Sequence, residues 1–577
     1  MSDLTTTKSF KSHPAVRFER QPVVEGPLTH LNEKRASILD GVVSQTMQDF
    51  ASSKSLELVL GEALYNERVR LKRDHGNVFT KNRIKGDRIL WNQIQSGLLQ
   101  SSAQADRKAL LRSVIGHYAD EIGGHFDPKI YKFATSVVPF GFSWLLNAAS
   151  VQRFLPWGLT QSLEDRLRIV GEVPALQNLS KKGTVLLVPT HQSNLDSILI
   201  GYIIYLMGLP PFAYGAGLNL FSNPVLSFFM GNLGAYTVDR KKSNVIYKQT
   251  LKNYSTRILS EGVHSIFFPG GGRSRSGAIE SKLKLGLMGT ALDAQIQNLK
   301  AGKPNPNVYI VPMVMSYHFV LEASSLIEDY LAEAGKHRYI IMDDESWQPT
   351  KVANFFWKVF KSTTSVTVRL GKPLDVFGNF VDEEGRSMGP NGTIIDPKRW
   401  LTSGGELKHD QQRDQEYTRE LGDVLSKRFH KENTVLTSHA VAFAYFEALR
   451  KRYPDLDLYR FLRLSLEQRA MQFGEFMGEA ERLHSRLLKM EKNGDVYLSD
   501  ELRLCSLEEW VNDGMTQLGL LHEAAVVKHV DGAIWSEDMN LLYYYRNRLA
   551  GYGLSLLARP KAVQGKSGNN DPKGFLE

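Results

Sequence analysis

Apolar positions change period along the chain, and each period predicts a different architecture. Between Ile38 and Asp120 they fall three and four residues apart, as in LELVLGEALYNERVRLKRD, which is the spacing of one buried helix face. A helical N-terminal region is therefore predicted over residues 1–130. From Gly183 to Lys372 short apolar runs alternate with helical stretches. GTVLLVPT is followed by a helix from Asp196, GAYTV by a helix through VIYKQTLKNYSTRILSEG, HSIFFPG by a helix through KLGLMGTALDAQIQNLKAG, and then come NVYIVPMVMSY and SVTVRLGKPL. Such alternation predicts an α/β sandwich with its site at the strand ends, assigned to residues 161–400. After the Gly/Pro/Ser-rich loop MGPNGTIIDPKRWLTSGG the helical period returns from about Asp410, and residues 401–577 are expected to form a helical C-terminal domain. No internal repeat or low-complexity tract interrupts the pattern.

One stretch fits neither period. FATSVVPFGFSWLLNAASVQ, Phe133 to Gln152, carries no charge, but Pro139, Gly141, Ser143 and Asn147 break the ~20-residue apolar run that a spanning helix needs. Phe133, Phe140, Phe142, Trp144 and nearby Trp157 are aromatics of the interfacial kind. Residues 131–160 are read as a membrane-interface anchor, with a buried helical hairpin as the alternative.

Composition narrows the partner more than the fold. A chain of 577 residues, 42% hydrophobic and 23% charged, is too long for one small domain and too apolar for disorder. Its formal charge of +9 suits a negatively charged partner: phosphate, a coenzyme tail or an anionic lipid surface. The basic residues are spread along the chain without a nucleic-acid module, so nucleic acid is not expected as a partner. The single cysteine, Cys505, excludes an internal disulfide framework and a multi-cysteine zinc site. The first twenty residues have no apolar core and read as neither a signal nor a spanning helix.

Candidate chemistry starts where TVLLVP ends. Thr190 to Asn194 are mostly turn formers and DSILIGYIIYLMG reads as a helix, so His191 sits on a strand-to-helix turn with Asp196 about one helical turn beyond. At that separation a carboxylate can bind one imidazole nitrogen, fix the tautomer and raise the basicity of the other nitrogen. No serine or cysteine nucleophile is needed if the substrate brings its own hydroxyl. The plainer alternative is that Asp196 caps the helix and His191 is an ordinary loop residue.

Two further strand ends are basic. FFPGGGRSRSG, Phe267 to Gly277, passes through glycines into Arg273 and Arg275, beside Ser274 and Ser276. Glycine amides can approach an anion and arginine binds phosphate bidentately, yet the pattern is neither a Walker loop nor a GxGxxG turn. GNLGAYTVDRKK, Gly231 to Lys242, places Arg240, Lys241 and Lys242 at another strand end. A solvated basic face is the alternative reading for each patch.

Taken in order, these stretches resemble the four sequence blocks of the membrane-associated glycerolipid acyltransferases. His191 and Asp196 match the first block, Gly231 to Arg240 the second, Phe268 to Ser274 the third, and YIVPM with Pro312 the fourth. The likeness is nearer to the glycerol-3-phosphate and dihydroxyacetone-phosphate acyltransferase branch than to the lysophosphatidate enzymes, through LPPFAYGAGLNLFSNPVLSFFMGNLGAY, GGRSRSG with Lys284 and Gly286, and LLYYYRNRL. It covers roughly Ser180 to Leu549.

The resemblance implies a mixed-sheet acyltransferase sandwich that moves an acyl group from acyl-CoA or acyl carrier protein to a phosphorylated three-carbon acceptor. It implies His191 and Asp196 as the catalytic pair. Arg240, Gly271, Gly272, Arg273, Ser274, Arg275, Lys284 and Pro312 become the substrate-binding residues, with no metal and no cofactor beyond the thioester co-substrate. Membrane lipids become the third partner and the cytoplasmic face of a membrane the expected location, in phospholipid biosynthesis. Glycerol 3-phosphate is the expected acceptor, with lysophosphatidate or dihydroxyacetone phosphate as alternatives. Two positions depart from the family: Asp239 stands where the branch often has an arginine, and Gly270 stands where the third block carries a glutamate. The second departure also admits a non-catalytic lipid- or acyl-CoA-binding relative.

Overall fold

The computed structural model describes residues 22–51, 55–73, 81–100, 103–136, 167–218, 224–334, 365–519, 522 and 524–555. Its centre is the strand TVLLVP, β2 (Thr184–Pro189), buried at every position. Period two divides it: Val185 and Leu187 join one hydrophobic core, Leu186 and Val188 another, as expected for a strand covered on both faces. Around it lie β1 (Leu167–Gly171), β3 (Ala213–Gly217), β4 (Ala235–Val238), β5 (Ser265–Ile266), β6 (Val308–Tyr317) and β7 (Val366–Leu370), in the order β1-β7-β6-β2-β5-β3-β4. The run from β6 through β2, β5 and β3 to β4 is parallel. β7 joins β6 antiparallel, with β1 parallel to β7, so the sheet is mixed as expected.

β1 and β3 carry no strand signal in the sequence. AYGAG is small and unpatterned, and LRIVG is a short edge strand whose Arg168 pairs with Asp500 and Glu501. HSIFFPG contributes only two strand residues, because the chain after Ile266 leaves the sheet. The helix expected through KLGLMGTALDAQIQNLKAG begins only at Gly289; Lys284 instead donates its amide to Pro269 and folds this segment over the glycine loop.

Before the sheet, among the described residues, lie α1 (Leu31–Asp49), α2 (Leu56–Arg73), α3 (Lys81–Gln100) and α4 (Gln104–Ile122), with a further helical stretch over 128–136. Their apolar faces share a core with α6 (Val245–Ser260), which follows β4; α5 (Asp196–Leu206) follows β2. Asn244 caps α6, its Oδ1 accepting from the Tyr247 amide, while its Nδ2 donates to Glu67 and Tyr118. Beside it Lys242 donates to Asp87 (3.1 Å) and Glu121 (2.5 Å) and is fully buried. Lys242 therefore does not belong to a solvated basic patch; it joins the helical preface to the sheet.

Beyond the sheet, α7 (Gly289–Lys300) and α8 (Gln411–Lys431) cover one face. α9 (Thr437–Arg452), buried from Thr437 to Leu449, lies against the other, and α10 (Met539–Arg546) packs with it. The hydrophobic core thus runs across the expected boundary near residue 400. The expected anchor, residues 131–160, lies outside the described residues from 137 onward. Among the described residues no helix is long and apolar enough to cross a membrane.

A clasp between α7 and α8 gives a pH-dependent contribution. His409 Nδ1 lies 3.4 Å from Asp293 and 3.6 Å from Asp414, and hydrogen bonding to Asp293, then to Asp414, raises its pKa to about 9. The folded value lies above the unfolded one of about 6.5, so the contribution is complete below that pH and is lost as pH rises through about 9. Urea titrations at pH 6 to 10 are expected to show a loss of stability in the wild type that His409→Gln does not share. Parallel curves would remove the clasp from the pH response.

Candidate active site

The turn from β2 into α5 is closed by its own polar atoms. Asp196 Oδ2 accepts from the amides of Gln192 (2.7 Å) and Ser193 (3.0 Å) and lies 2.8 Å from His191 Nδ1. The Asn194 amide donates to Glu322 Oε1, the Leu195 amide to Ser193 Oγ, and the Asp196 amide to the Ser193 carbonyl. Asp196 does not cap α5, since its bonds run back to the residues before the helix and no side chain caps it. The capping alternative therefore fails. With these amides spent, the turn offers no anion-binding nest of its own.

Asp196 is fully buried, and its second oxygen accepts a short hydrogen bond from the Tyr317 hydroxyl at the end of β6. Burial, then the neighbouring Asp196 charge, pushes the Tyr317 phenol well above its ordinary range, so it stays protonated and donates. The carboxylate is thus held by two backbone amides, a phenol and the imidazole. His191, 16% exposed at its side chain, has its Nδ1 on this carboxylate and its ring 4.4 Å from the Phe268 ring. Nε2 is the nitrogen left for chemistry.

The loop that leaves β5 is latched onto His191 from both sides. The Ser274 amide donates to the His191 carbonyl (2.8 Å), and the His191 amide donates to Glu280 Oε1 (2.8 Å). The three glycines of this loop make room for charged side chains. A Cβ at Gly270 would stand 2.9 Å from Glu280 Oε1, and one at Gly271, whose φ is +67°, 2.8 Å from Lys284 Cγ. A Cβ at Gly272 would lie 3.7 Å from Arg240 Nη1, so the guanidinium of the second block lies beside the glycines of the third.

The site residues named from sequence are therefore divided. Arg240, exposed at the end of β4, and Lys284, exposed over Gly271, stand by the glycine loop together with Gly272. Arg273 Nη1 lies 3.4 Å from the buried Glu322, and Arg275 pairs with Glu333 (2.7 Å) at the surface. The Gly271 amide closes a turn onto the Phe268 carbonyl rather than facing the site, and the Ser274 hydroxyl donates to the Ala278 carbonyl. Pro312 is not in the loop cluster. It is buried in β6 beside Val188, and it bears on the site only through the strand that ends in Tyr317.

Three carboxyl or phenol partners had no sequence signal: Tyr317, Glu280 and Glu322. Glu322 accepts from Ser193 Oγ (2.9 Å) and the Asn194 amide (3.0 Å), and burial raises its pKa against the pull of Arg273. The C-terminal LLYYYRNRL closes the back of the same loop, where Asn547 donates to the Ser276 carbonyl.

A family model described as acyltransferase matches residues 171–316, the span that holds all four blocks. Among curated proteins the chain is 27% identical over 246 residues to the glycerol-3-phosphate acyltransferase of Xylella fastidiosa (strain M23), covering 41% of this chain and 26% of that protein. It is 24% identical over 370 residues to that of Pseudomonas entomophila (63% and 38%). To that of Aeromonas hydrophila it is 29% identical over 210 residues (36% and 23%). The chain thus matches between about a quarter and two fifths of the length of these relatives. A solved 1-acyl-sn-glycerophosphate acyltransferase from Thermotoga maritima aligns at 16% identity over 58% of this chain and 87% of that one, with a TM-score of 0.24, too low to bear on the fold. Through residues 171–316 the chain carries an acyltransferase domain, and it is similar to the glycerol-3-phosphate acyltransferases of these bacteria.

Proposed function

We propose that this protein transfers a fatty acyl group from a thioester to a hydroxyl of glycerol 3-phosphate. The observation that carries the reading is the His191–Asp196 pair, at 2.8 Å, on a turn whose amides are already satisfied, beside a glycine loop flanked by Arg240 and Lys284. His191 Nε2 takes the proton of the acceptor hydroxyl as its oxygen attacks the thioester carbonyl, and Asp196 steadies the imidazolium. Collapse of the tetrahedral adduct forms the ester and breaks the carbon–sulfur bond; the thiolate leaves and the imidazolium proton neutralises it. The reaction as written uses only a thioester and an alcohol. Either acyl-CoA or acyl carrier protein supplies the donor chemistry.

Arg240 is the side chain we assign to the acceptor phosphate, because Arg273 and Arg275 already face carboxylates. Arg240→Ala is expected to raise the acceptor's KM about ten- to a hundred-fold and leave the donor's KM near its wild-type value, since a charge-assisted bond of ~1.5–3 kcal/mol is lost. The assay is thiol release with glycerol 3-phosphate, dihydroxyacetone phosphate and lysophosphatidate offered in parallel. Preference for either of the last two would move the acceptor assignment; no release with any of them would leave the non-catalytic reading.

We also place the protein at the cytoplasmic face of a membrane, in phospholipid synthesis, where its product partitions. Phe133 and Phe228, 54% and 51% exposed, support this, with Phe133 stacked 6.5 Å from Phe229 beside the expected anchor.

A further inference from the structure

We propose that Glu280 is a positioning and acceptor-selecting residue of this active site, holding the His191 backbone through Oε1 and taking a hydroxyl of the polyol phosphate on Oε2. Four observations converge on it. Oε1 accepts the His191 amide at 2.8 Å, which sets where the imidazole begins. Oε2 is buried and no side chain or amide of another described residue donates to it, a costly state for a carboxyl oxygen unless a ligand or water completes it. Glycine at 270 is what makes the arrangement possible, because any Cβ there would stand 2.9 Å from Oε1 and 3.1 Å from Cγ of Glu280. Finally, the loop that carries Glu280 is tied to His191 a second time, through the Ser274 amide, so two hydrogen bonds join it to the His191 backbone.

The glutamate that the resemblance puts at position 270 and the glutamate found at 280 thus compete for one volume, and this chain fills it from ten residues further along. Burial, partly offset by the bond from the His191 amide, pushes the Glu280 carboxyl up to about 8. Near neutral pH it can therefore either donate to or accept from an alcohol.

The assignment rests on the acyl-transfer reading, and the experiment separates the two. Thiol release from a long-chain acyl-CoA is measured with glycerol 3-phosphate for the wild type, Glu280→Gln, Glu280→Ala, Gly270→Glu and the double variant Gly270→Glu with Glu280→Ala, each checked by circular dichroism. Glu280→Gln keeps an oxygen for the His191 amide, so kcat is expected within about three-fold of wild type while the acceptor's KM rises about ten-fold and the donor's does not move. Glu280→Ala removes both functions and is expected to lower kcat about ten- to a hundred-fold as well. Gly270→Glu alone, crowding Glu280, is expected to be impaired, and the double variant to recover at least part of the activity that Glu280→Ala loses. Should Glu280→Ala fail to fold, the KM split in the near-isosteric Glu280→Gln decides. Wild-type kinetics in Glu280→Gln and Glu280→Ala, or equal rises in both KM values, would overturn the assignment and leave the function standing. A wild type that releases no thiol with any acceptor would overturn both.

Discussion

His191→Ala is expected to lower turnover about 100- to 10,000-fold in a protein that still folds, because it removes the proposed general base and leaves the turn around it in place. The turn loses one bond with the imidazole and keeps the others. Asp196 keeps the amides of Gln192 and Ser193 and the Tyr317 hydroxyl, and the His191 backbone keeps Glu280 and Ser274. Asp196→Asn is the harder test of the pair. An asparagine has one acceptor oxygen where the carboxylate has two, so its amide nitrogen must face either the backbone amides or Tyr317. With its oxygen toward the turn, Tyr317 can rotate and accept, and the fold survives; the negative charge that steadies the imidazolium is gone. A loss of kcat on the order of 100-fold or more, with the acceptor's KM little changed, is the expected result, read by thiol release and thermal melting together. Near-normal turnover in a well-folded His191→Ala protein would remove the base assignment.

The contact between His191 and Asp196 was legible in the sequence because it is local: a strand, a turn and the start of a helix fix their separation. The groups that brace it were not, because they come from other strand ends. Tyr317 reaches Asp196 from the end of β6, and Glu322 reaches Ser193 from five residues further on. Only the sheet order, which sets β6 beside β2, brings them together. Glu280 was hidden for a different reason. The sequence shows a glycine where a glutamate is expected, and nothing in one dimension shows that a side chain ten positions later fills the space. The strands β1 and β3 were missed because AYGAG and LRIVG owe their extended state to neighbours in the sheet rather than to their own pattern.

The basic run after β4 shows how equal charges in sequence part company in the fold. Arg240 is exposed beside the glycine loop, whereas two residues later Lys242 is fully buried among Asp87, Glu121 and the ring of Tyr118, 5.0 Å away. Burial alone would raise the Asp87 pKa, but His117, Lys242 and Arg70 outweigh it and hold the carboxyl below its usual range. Arg70 also pairs with Glu67, which Asn244 ties to the start of α6, so one charge network joins α2, α3 and α4 to the chain after β4. Lys242→Met keeps the length of the side chain and deletes its charge, leaving buried carboxylates short of a cation. Removing one partner of such a network costs about 3–5 kcal/mol, far above the median for a surface pair of ~0–1 kcal/mol. The expected result is a fall of that size in the opening free energy of α3 and α4 amides by hydrogen exchange, with smaller changes in β2 and β6. The same variant separates this lysine from its neighbour: because its ammonium never meets solvent, the acceptor's KM should stay near wild type wherever the protein remains folded, in contrast to Arg240→Ala. Exchange rates unchanged in α3 and α4, or an acceptor KM that rises as it does for Arg240→Ala, would return Lys242 to the binding surface.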